Sequence, residues 1–465
     1  MANISFGTDG FRGILGEDFN IENVKTIIKA CAKYIAETYG THKQIIIGYD
    51  PRNQAYEYAM NTANLLMAYG FDVAISKKVI PTPIIAFAAK HYDACAFMFT
   101  ASHNPPNYLG VKFIPDYGGP ATSEITDKIS AHFDDNSNFM AGRTGSLVNL
   151  KLEEPYFDHI KTLVDMDEIH KVKSRIIFDG LYSSTIGYFD ALLEEYRIPF
   201  EKMNCHHDIN FGGGMPDPKP KYLKDLIIKI KENPGAIGLA NDGDGDRFGV
   251  VNENGEYVTP NEIIGILLHH LIKNKHIIGD LAITVAGSSM LKILAKKLNI
   301  KVIETPVGFK WLGEAMRKNT VTIAGEDSGG LSIDGHIPEK DGIIANLLIL
   351  EAMAYENKTL VELQQELHDI VGVEFKQDRL DYKFADKNVM EKKKKKISQI
   401  SNYPFTIKDV NKLEGLKITF DNDSWILVRP SGTEPLLRVY FEAEEKTLPI
   451  LKNFMDRTVK SYFGR

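Results

Sequence analysis

The sequence is poor in cysteine and has no long hydrophobic run. Its three cysteines, Cys31, Cys95 and Cys205, match the spacing of neither a disulfide framework nor a zinc site, so we expect reduced thiols. No apolar run approaches the roughly 18 residues of a membrane-spanning helix, and the first residues lack a basic segment followed by an apolar one. We therefore expect a cytoplasmic protein with no membrane partner.

An excess of positive charge is also missing. The 55 lysines and arginines are outnumbered by 62 aspartates and glutamates, which gives a formal net charge of -7. Such a molecule repels nucleic acid, so an anionic ligand must be gathered by a local cluster of basic groups. The run Lys392–Lys396 lies among acidic residues and is interpreted as a solvated helix face. We expect small-molecule partners and no nucleic acid.

The chain is too long for one hydrophobic core, and its composition lacks the bias of disordered or collagen-like proteins. Up to about residue 370, three cycles of strand-like and helix-like segments predict three consecutive, similar α/β domains. The last hundred residues have a more antiparallel strand order and predict a separate α+β domain. The predicted domains are residues 1–150, 151–255, 256–370 and 371–465.

Each of the three cycles ends a predicted strand in an unusual loop. These strands are Asp93–Thr100, Ala236–Ala240 and Val321–Ala324. Ligands of α/β sheets gather outside the carboxyl ends of the strands. We therefore expect the three loops to face one deep cleft.

The first loop, Thr100–Pro105 (TASHNP), presents a candidate nucleophile. Ser102 lies among small residues, and the prolines after Asn104 push that residue out of the helical region. We predict that the Ser102 hydroxyl lies on an irregular, exposed loop. A simple turn remains the alternative, because a histidine adjacent in sequence, His103, is poorly placed to serve Ser102 as a base.

The second loop is typical of a metal site. Asp242, Asp244 and Asp246 alternate with glycines, so their carboxylates can converge on one divalent cation. An EF-hand is disfavoured, because its sixth position needs glycine and here holds Arg247, and because the flanks are predicted strands. Three carboxylates leave room for a phosphate oxygen on the ion, which suits Mg²⁺ in phosphoryl transfer. An exposed acidic turn is the alternative.

Two further loops offer binding groups. The segment Arg429–Pro435 (RPSGTEP) ends a strand with an arginine, two hydroxyls and a glycine, which is typical of an anion-binding loop. It lacks the lysine of a Walker loop, so we predict that it binds a small phosphate ester. In Gly325–Gly330 (GEDSGG), Glu326 and Ser328 lie between glycines and suit the vicinal hydroxyls of a sugar. Each of these motifs alone also occurs in plain turns.

Together, TASHNP, DGDGDR, GEDSGG and RPSGTEP, in this order and with Phe6–Gly13 (FGTDGFRG), closely resemble the α-D-phosphohexomutases. This family comprises phosphoglucomutases, phosphomannomutases and phosphoglucosamine mutases, and the resemblance covers essentially the whole chain. It implies three related α/β domains and a mobile C-terminal lid around a central cleft. It also implies Mg²⁺-dependent transfer of phosphate between the 1- and 6-positions of a hexose, with glucose 1,6-bisphosphate as activator and intermediate.

The resemblance also assigns roles to individual residues. It implies a phosphoserine at Ser102, with Mg²⁺ bound by Ser102, Asp242, Asp244 and Asp246. Lys112 is the candidate general base, with an exposed strand lysine as the alternative, while Arg12 acts electrostatically. His103 is expected to orient the phosphate, with a simple loop histidine as the alternative. The implied substrate-binding residues are Arg247, Lys310, Glu326, Ser328, Arg429, Ser431, Gly432 and Thr433.

Two positions bear on the choice of hexose. Gly330 stands where dual-specificity and glucosamine relatives usually have histidine, and Thr305–Trp311 (TPVGFKW) is similar to the glycine-aromatic-lysine pattern of phosphoglucomutases. We therefore expect glucose. A mannose or dual-specificity enzyme stays open, because the two epimers differ at one hydroxyl. A phosphoglucosamine mutase, a phosphoserine phosphatase that delivers phosphate to water and a non-catalytic binding protein are further alternatives, and both a monomer and a homodimer stay possible.

Overall fold

The computed structural model describes residues 10–135, 142–386, 402–430 and 436–463, together with residues 388, 390, 397 and 400. The chain divides into two compact units. Unit 1 comprises Met1–Gly279 and Gly308–Gln364, and unit 2 comprises Asp280–Val307 and Gln365–Arg465. Within the described ranges, we find no helix with the length and hydropathy needed to span a bilayer.

Unit 1 begins with a five-stranded mixed sheet of order β1-β5-β4-β2-β3. Strand β2 is parallel to β3 and β4, whereas β5 is antiparallel to β4 and β1. All residues of β2 and β4 are buried, as expected for strands covered by helices on both faces. The strands are β1 (Phe11–Ile14), β2 (Ile45–Tyr49), β3 (Val73–Ile75), β4 (Cys95–Phe99) and β5 (Tyr108–Ile114), and the helices are α1 (Ile21–Tyr39), α2 (Ala55–Ala68), α3 (Thr82–His91) and α4 (Ser123–Ser130).

The second sheet repeats this arrangement, with order β10-β9-β8-β6-β7. Its central strand β8 is parallel to β6 and antiparallel to β9, just as β4 is parallel to β2 and antiparallel to β5. The loops after β4 and β8 therefore occupy equivalent places in the two sheets. The elements are α5 (Glu154–Leu163), β6 (Arg175–Asp179), α6 (Phe189–Glu195), β7 (Phe200–Met203), α7 (Lys224–Glu232), β8 (Ala236–Asn241), β9 (Phe248–Val251) and β10 (Tyr257–Val258).

The rest of unit 1 contains an antiparallel pair, β13 (Val321–Gly325) and β14 (Leu331–Ile333), which encloses the GEDSGG loop. Helix α11 (Gly342–Glu356) is buried along nearly its whole length. It begins where the Asp341 carboxylate accepts the N–H groups of Ile343 and Ile344 at 2.8 and 3.1 Å, a typical N-cap. The remaining helices are α8 (Pro260–Lys273) and α10 (Phe309–Lys318).

Unit 2 contains a parallel pair, β11 (Asp280–Thr284) with β12 (Val302–Thr305), joined through α9 (Ser289–Lys297). Its main sheet has order β15-β19-β18-β17-β16 and is antiparallel throughout. Apolar side chains of this sheet pack against those of the last helix. The elements are α12 (Leu360–Val371), which begins in unit 1, β15 (Lys376–Lys383), β16 (Ile407–Asn411), β17 (Leu416–Phe420), β18 (Trp425–Pro430), β19 (Leu436–Ala443) and α13 (Leu448–Phe463).

The predicted α/β and α+β character of the chain is confirmed. The three strands predicted to end in loops are β4, β8 and β13, with ends that differ by one or two residues. The sequence did not reveal β5, because Gly110 and Lys112 interrupt its apolar pattern. The run Lys392–Lys396, interpreted as a helix face, lies outside the described residues.

Candidate functional site

Ser102 lies three residues beyond the end of β4, in a left-handed backbone conformation with φ 51°. Its N–H donates to Thr100 Oγ1 at 2.8 Å, and its hydroxyl donates to Asp242 Oδ2 at 2.6 Å. The loop is irregular, as predicted, but the predicted exposure of the hydroxyl is wrong, because Ser102 is only 1% exposed. The loop after β8 covers it so closely that a Cβ on Gly243 would lie 2.5 Å from the Ser102 carbonyl oxygen.

The three aspartates of that loop form a buried acidic cluster, which we define as Asp242, Asp244 and Asp246. One carboxylate oxygen from each lies within 4.8 Å of the others. Asp244 Oδ1 and Asp246 Oδ1 are buried and have no hydrogen-bond partner among the described residues. Converging carboxylates with unpartnered oxygens are what a hard divalent cation binds, so the cluster fits Mg²⁺. The alternative interpretation as an exposed acidic turn is wrong, because all three aspartates are buried.

The electrostatics of the acidic cluster are uneven. Burial, and then the charges of Asp244 and Asp246, raise the pKa of Asp242 well above its usual value. Burial also disfavours the Asp246 carboxylate, but Lys112 and Lys340 outweigh it and hold the pKa of Asp246 below its usual value. Asp242 therefore loses its charge more readily than Asp246 when no cation is bound.

Two lysines reach into the acidic cluster. Lys112, on β5, places Nζ 2.9 Å from Asp244 Oδ2 and 2.8 Å from Asp246 Oδ2. It is 2% exposed, so its interpretation as an exposed strand lysine is wrong. Sequence reasoning missed Lys340, whose Nζ lies 3.3 Å from Asp246 Oδ2. The signal for it was the charged run Glu339–Asp341 directly before an apolar helix.

Arg12 and His103 flank Ser102. Arg12, on β1, donates from Nη1 to Asn104 Oδ1 at 3.0 Å and to Ala101 O at 3.3 Å. His103 Nδ1 lies 3.3 Å from Ser102 Oγ. Burial, together with the nearby guanidinium groups of Arg247 and Arg12, lowers the pKa of His103, so the imidazole is neutral. The structure thus brings the two predicted flanking residues to the Ser102 loop.

Arg247 completes the loop after β8. Its N–H donates to Asp242 Oδ1 at 3.0 Å, and its Nε lies 4.0 Å from Asp246 Oδ1. The next residue, Phe248, donates its N–H to the carbonyl oxygen of Gly329 at 2.9 Å. The loop after β8 and the GEDSGG loop therefore adjoin each other within unit 1.

In the GEDSGG loop, Ser328 Oγ donates to Glu326 Oε2 at 3.1 Å, and Glu326 Oε1 accepts the N–H of Gly308 at 3.0 Å. Lys310 Nζ donates to Ser123 Oγ at 3.1 Å and lies 5.0 Å from the centre of the Trp311 ring. These contacts join the two segments that the sequence associated with the sugar. A Cβ on Gly330 would lie 2.3 Å from Lys340 Cδ, so a side chain at position 330 would require the Lys340 side chain to move.

The predicted phosphate-binding loop belongs to unit 2. Arg429, on β18, donates from Nε to the carboxylate of Glu414. Ser431, Gly432 and Thr433 lie outside the described residues.

Comparison with known protein families covers nearly the whole chain. Models of the phosphoglucomutase/phosphomannomutase family match in order: alpha/beta/alpha domain I at residues 3–140, domain II at 154–255, domain III at 259–370 and the C-terminal domain at 385–457.

Individual relatives agree on the family. A phosphoglucomutase/phosphomannomutase from Thermococcus kodakarensis is 30% identical over 456 residues, which covers 96% of each chain. A phosphoglucosamine mutase from Clostridioides difficile is 28% identical over 95% of each chain. A crystal structure of a provisionally named phosphomannomutase from Thermus thermophilus superposes with a TM-score of 0.87 and 30% identity over 99% of each chain.

These relatives act on different hexose phosphates by name, so they do not identify the sugar. They agree on the reaction type, since all are named as mutases. The resemblance seen in the loop motifs is confirmed, as is the fold of three α/β domains followed by a C-terminal domain. The chain belongs to the phosphoglucomutase/phosphomannomutase family of Mg²⁺-dependent phosphohexomutases, which are isomerases that move a phosphate within a phosphosugar.

Proposed function

We propose that the protein interconverts glucose 1-phosphate and glucose 6-phosphate through a phosphoserine at Ser102 and a 1,6-bisphosphate intermediate. The observation that carries this proposal is the 2.6 Å hydrogen bond from Ser102 Oγ to Asp242 within the acidic cluster. It sets the candidate nucleophile directly beside the candidate metal site. Glucose 1,6-bisphosphate is then the activator, because it can load Ser102 with phosphate.

A stored phosphate is required by the shape of the substrate. The 1- and 6-oxygens lie at opposite ends of a hexose, so one fixed site cannot move phosphate directly between them. Phosphoserine 102 donates its phosphoryl group to the free hydroxyl, the bisphosphate turns end for end, and Ser102 receives the other phosphate. Asp242, Asp244 and Asp246, with an oxygen at Ser102, would hold Mg²⁺, which when bound neutralises charge on the transferring group.

The other residues have roles that follow from their contacts. Lys112 is the proposed general base, because its buried Nζ contacts Asp244 and Asp246 in the acidic cluster that also includes Asp242, the hydrogen-bond partner of Ser102. Arg12 supplies positive charge beside the nucleophile loop. Neutral His103 orients the phosphate at Ser102.

Unit 1 and unit 2 each contain proposed substrate-binding residues. In unit 1, Glu326 and Ser328 would bind sugar hydroxyls, and their mutual 3.1 Å hydrogen bond supports a shared polar surface. In unit 2, the loop that begins at Arg429 would bind the ester phosphate. The complete proposed set is Arg247, Lys310, Glu326, Ser328, Arg429, Ser431, Gly432 and Thr433.

Glucose is the proposed sugar because position 330 is glycine, where dual-specificity and glucosamine relatives usually have histidine. The sugar contact expected from that histidine is therefore missing in this chain. The Lys340 side chain packs against Gly330, since a Cβ there would lie 2.3 Å from Lys340 Cδ. Mannose is the second candidate, since one hydroxyl distinguishes the epimers and the name of the Thermococcus relative includes phosphomannomutase.

A coupled assay with the 1-phosphates of glucose, mannose and N-acetylglucosamine tests this proposal. We expect kcat/KM for glucose 1-phosphate to exceed the others by at least about tenfold, or about 1.4 kcal/mol. Intact mass spectrometry should show a fraction of the protein with one phosphoryl group, which excess sugar removes. An equal or higher kcat/KM for mannose 1-phosphate would reject glucose, and free phosphate released in step with substrate loss would indicate a phosphatase.

We also propose domain boundaries at residues 1–150, 151–255, 256–370 and 371–465. The sheets β1-β5-β4-β2-β3 and β15-β19-β18-β17-β16 each lie within one of these ranges, which supports the division. In the sheet β10-β9-β8-β6-β7, strands β6 to β9 lie within 151–255, and the edge strand β10 lies just beyond that range.

A further inference from the structure

Arg52 is a buried arginine whose side chain points at the nucleophile loop. It follows β2 and is only 3% exposed. Its Nη2 donates to the carbonyl oxygens of Ser102 and Asn104 at 2.6 and 2.7 Å, and its Nη1 donates to those of Pro105 and Tyr108 at 2.7 and 3.1 Å. Its Nε donates to Asp50 Oδ2 at 3.1 Å. A guanidinium has five N–H groups, so each has an acceptor.

The conformation of the Thr100–Pro105 loop depends on a donor such as the Arg52 guanidinium. Ser102 has φ 51°, a conformation that non-glycine residues adopt only when their surroundings hold them there. The carbonyl oxygen of Ser102 is covered by Gly243 on the metal loop, so water does not replace the Arg52 donor there. Losing the guanidinium would leave the Ser102 carbonyl unpaired and favour a different loop conformation, in which Ser102 Oγ no longer meets Asp242.

A second chain of contacts runs from Asp50 to the same serine. Asp50 Oδ2, which accepts from Arg52, also accepts from Thr100 Oγ1 at 2.6 Å. Thr100 Oγ1 in turn accepts the N–H of Ser102 at 2.8 Å. Arg52 and Asp50 therefore fix both the N–H and the carbonyl of the nucleophile.

The guanidinium of Arg52 also packs against the segment that holds the loop after β8. Its Cζ lies 4.9 Å from the centre of the Phe211 ring, a cation–π contact. The segment that begins at Phe211 continues to Pro216, whose carbonyl oxygen accepts the N–H of Gly243 at 3.1 Å. Arg52 therefore links the backbone of the nucleophile loop to the segment that supports the metal loop.

We propose that Arg52 is a positioning residue for phosphoryl transfer, which sets Ser102 Oγ against the acidic cluster. The inference rests on the proposed role of Ser102. Arg52 acts through the loop backbone, because its guanidinium is buried and donates to protein oxygens, whereas Arg12 and Arg247 have proposed roles at the nucleophile and the substrate. Its loss should lower the rate of phosphoryl transfer more than the affinity for the sugar phosphate.

The test compares Arg52→Ala and Arg52→Lys with a core control, Ile35→Ala. Ile35 is fully buried in α1 of the same domain. For each variant we would measure the melting temperature, kcat and KM with the hexose 1-phosphate that the wild type prefers, and the rate at which glucose 1,6-bisphosphate phosphorylates the peptide containing Ser102.

We expect kcat and the phosphorylation rate to fall together by about 100-fold in Arg52→Ala, because displacement of a reacting group by about 1 Å costs that much. Arg52→Lys should lose about tenfold, because an ammonium has three donors and lacks the planar fork. KM should stay within about threefold in both variants. Ile35→Ala should lower the melting temperature while kcat stays within about threefold.

Wild-type kcat in a folded Arg52→Lys protein would overturn the inference, even if Arg52→Ala does not fold. A rise in KM with unchanged kcat would overturn it as well, as would losses no larger than in Ile35→Ala. Phosphorylation of the wild type at a residue other than Ser102 would instead reject the proposed function, and this inference with it.

Discussion

Both units contain buried carboxylates, and those of unit 1 and unit 2 differ in how their oxygens are used. In the acidic cluster of unit 1, Asp244 Oδ1 and Asp246 Oδ1 have no hydrogen-bond partner among the described residues. In unit 2, both carboxylate oxygens of the fully buried Glu442 are occupied. Oε1 accepts the N–H of Ser289 at 2.6 Å and Trp425 Nε1 at 2.8 Å, and Oε2 accepts Gln377 Nε2 at 2.8 Å.

This difference in hydrogen bonding indicates that the acidic cluster is suited to bind a ligand, whereas Glu442 is suited to stabilise the fold. A buried carboxylate with a full set of donors stabilises the fold, whereas one with unpartnered oxygens destabilises it unless a ligand binds. Changes in the acidic cluster should therefore reduce activity and leave stability almost unchanged. Changes around Glu442 should reduce the stability of unit 2.

The largest effect should come from Ser102→Ala. We expect turnover to fall by at least about 10⁴-fold, because no oxygen remains to carry the stored phosphate. The melting temperature should change by only a few degrees, since the substitution removes one hydroxyl and little packing. Coupled-assay kinetics and differential scanning calorimetry measure the two effects. Wild-type turnover in this variant would reject the phosphoserine mechanism.

Asp244→Asn tests the unpartnered oxygens directly. We expect turnover to fall by at least about 10³-fold, because the cation loses one charged ligand. With chelator present, the variant should melt within a few degrees of the wild type, because the mutation relieves repulsion among buried carboxylates.

Adding Mg²⁺ separates this prediction from a purely structural effect. A ligand that binds only the folded state raises its melting temperature, so Mg²⁺ should stabilise the wild type and not Asp244→Asn. Equal stabilisation of both proteins would show that Mg²⁺ binds elsewhere.

Arg429→Ala removes a charge that differs from those of the buried carboxylates, because the Arg429 side chain is only partly buried and is paired with Glu414. We expect affinity for both glucose 1-phosphate and glucose 6-phosphate to fall by about 10- to 100-fold, because the bisphosphate must present either phosphate to the same loop. Calorimetry on the dephosphorylated protein measures both affinities, with the exposed Arg457→Ala as control. Loss of affinity for only one monophosphate would contradict the reversal of the intermediate.

Much of the fold and the acidic cluster were predictable because their signals are local. Strands β4 and β8 are short apolar segments, and the acidic cluster lies in one six-residue loop. The exposure of Ser102 was mispredicted because the residue that covers it, Asp242, lies 140 positions away. Arg52 was missed for the same reason, because its contact to Ser102 spans 50 positions and depends on how β2 and β4 pair.

Glu442→Ala tests the buried carboxylate of unit 2 whose oxygens both accept hydrogen bonds. We expect unit 2 to lose about 4 kcal/mol of unfolding free energy, because buried N–H donors lose a charged acceptor. The chain has 2 tryptophans, so urea unfolding in a Trp311→Phe background would report Trp425 alone. The exposed Glu445→Ala should change the unfolding free energy by less than about 0.5 kcal/mol. Equal losses of unfolding free energy in Glu442→Ala and Glu445→Ala would show that the buried Glu442 carboxylate does not stabilise the fold.

The smallest expected effect concerns Lys417, which is 2% exposed, lies in unit 2 and acts on Glu442 through its charge. Its Nζ donates to Val285 O at 2.6 Å and lies 4.5 Å from the centre of the Trp425 ring. Burial, and then the charge of Lys292, lower the pKa of Lys417 to about 8, although Glu304 and Glu442 oppose the shift.

This lowered pKa predicts how stability depends on pH. The unfolded chain keeps the lysine protonated up to about pH 10.4, whereas the folded protein releases the proton near pH 8. The unfolded state therefore binds more protons between these values, and the stability contributed by Lys417 rises with pH. Relative to Lys417→Met, the wild type should gain about 2 kcal/mol of unfolding free energy between pH 8 and pH 10.

Urea unfolding at several pH values measures this difference, with the exposed Lys412→Met as control. A difference between wild type and Lys417→Met that does not change with pH would mean that Lys417 keeps its proton in the folded protein, so that the contacts to Val285 O and Trp425 fully offset its burial.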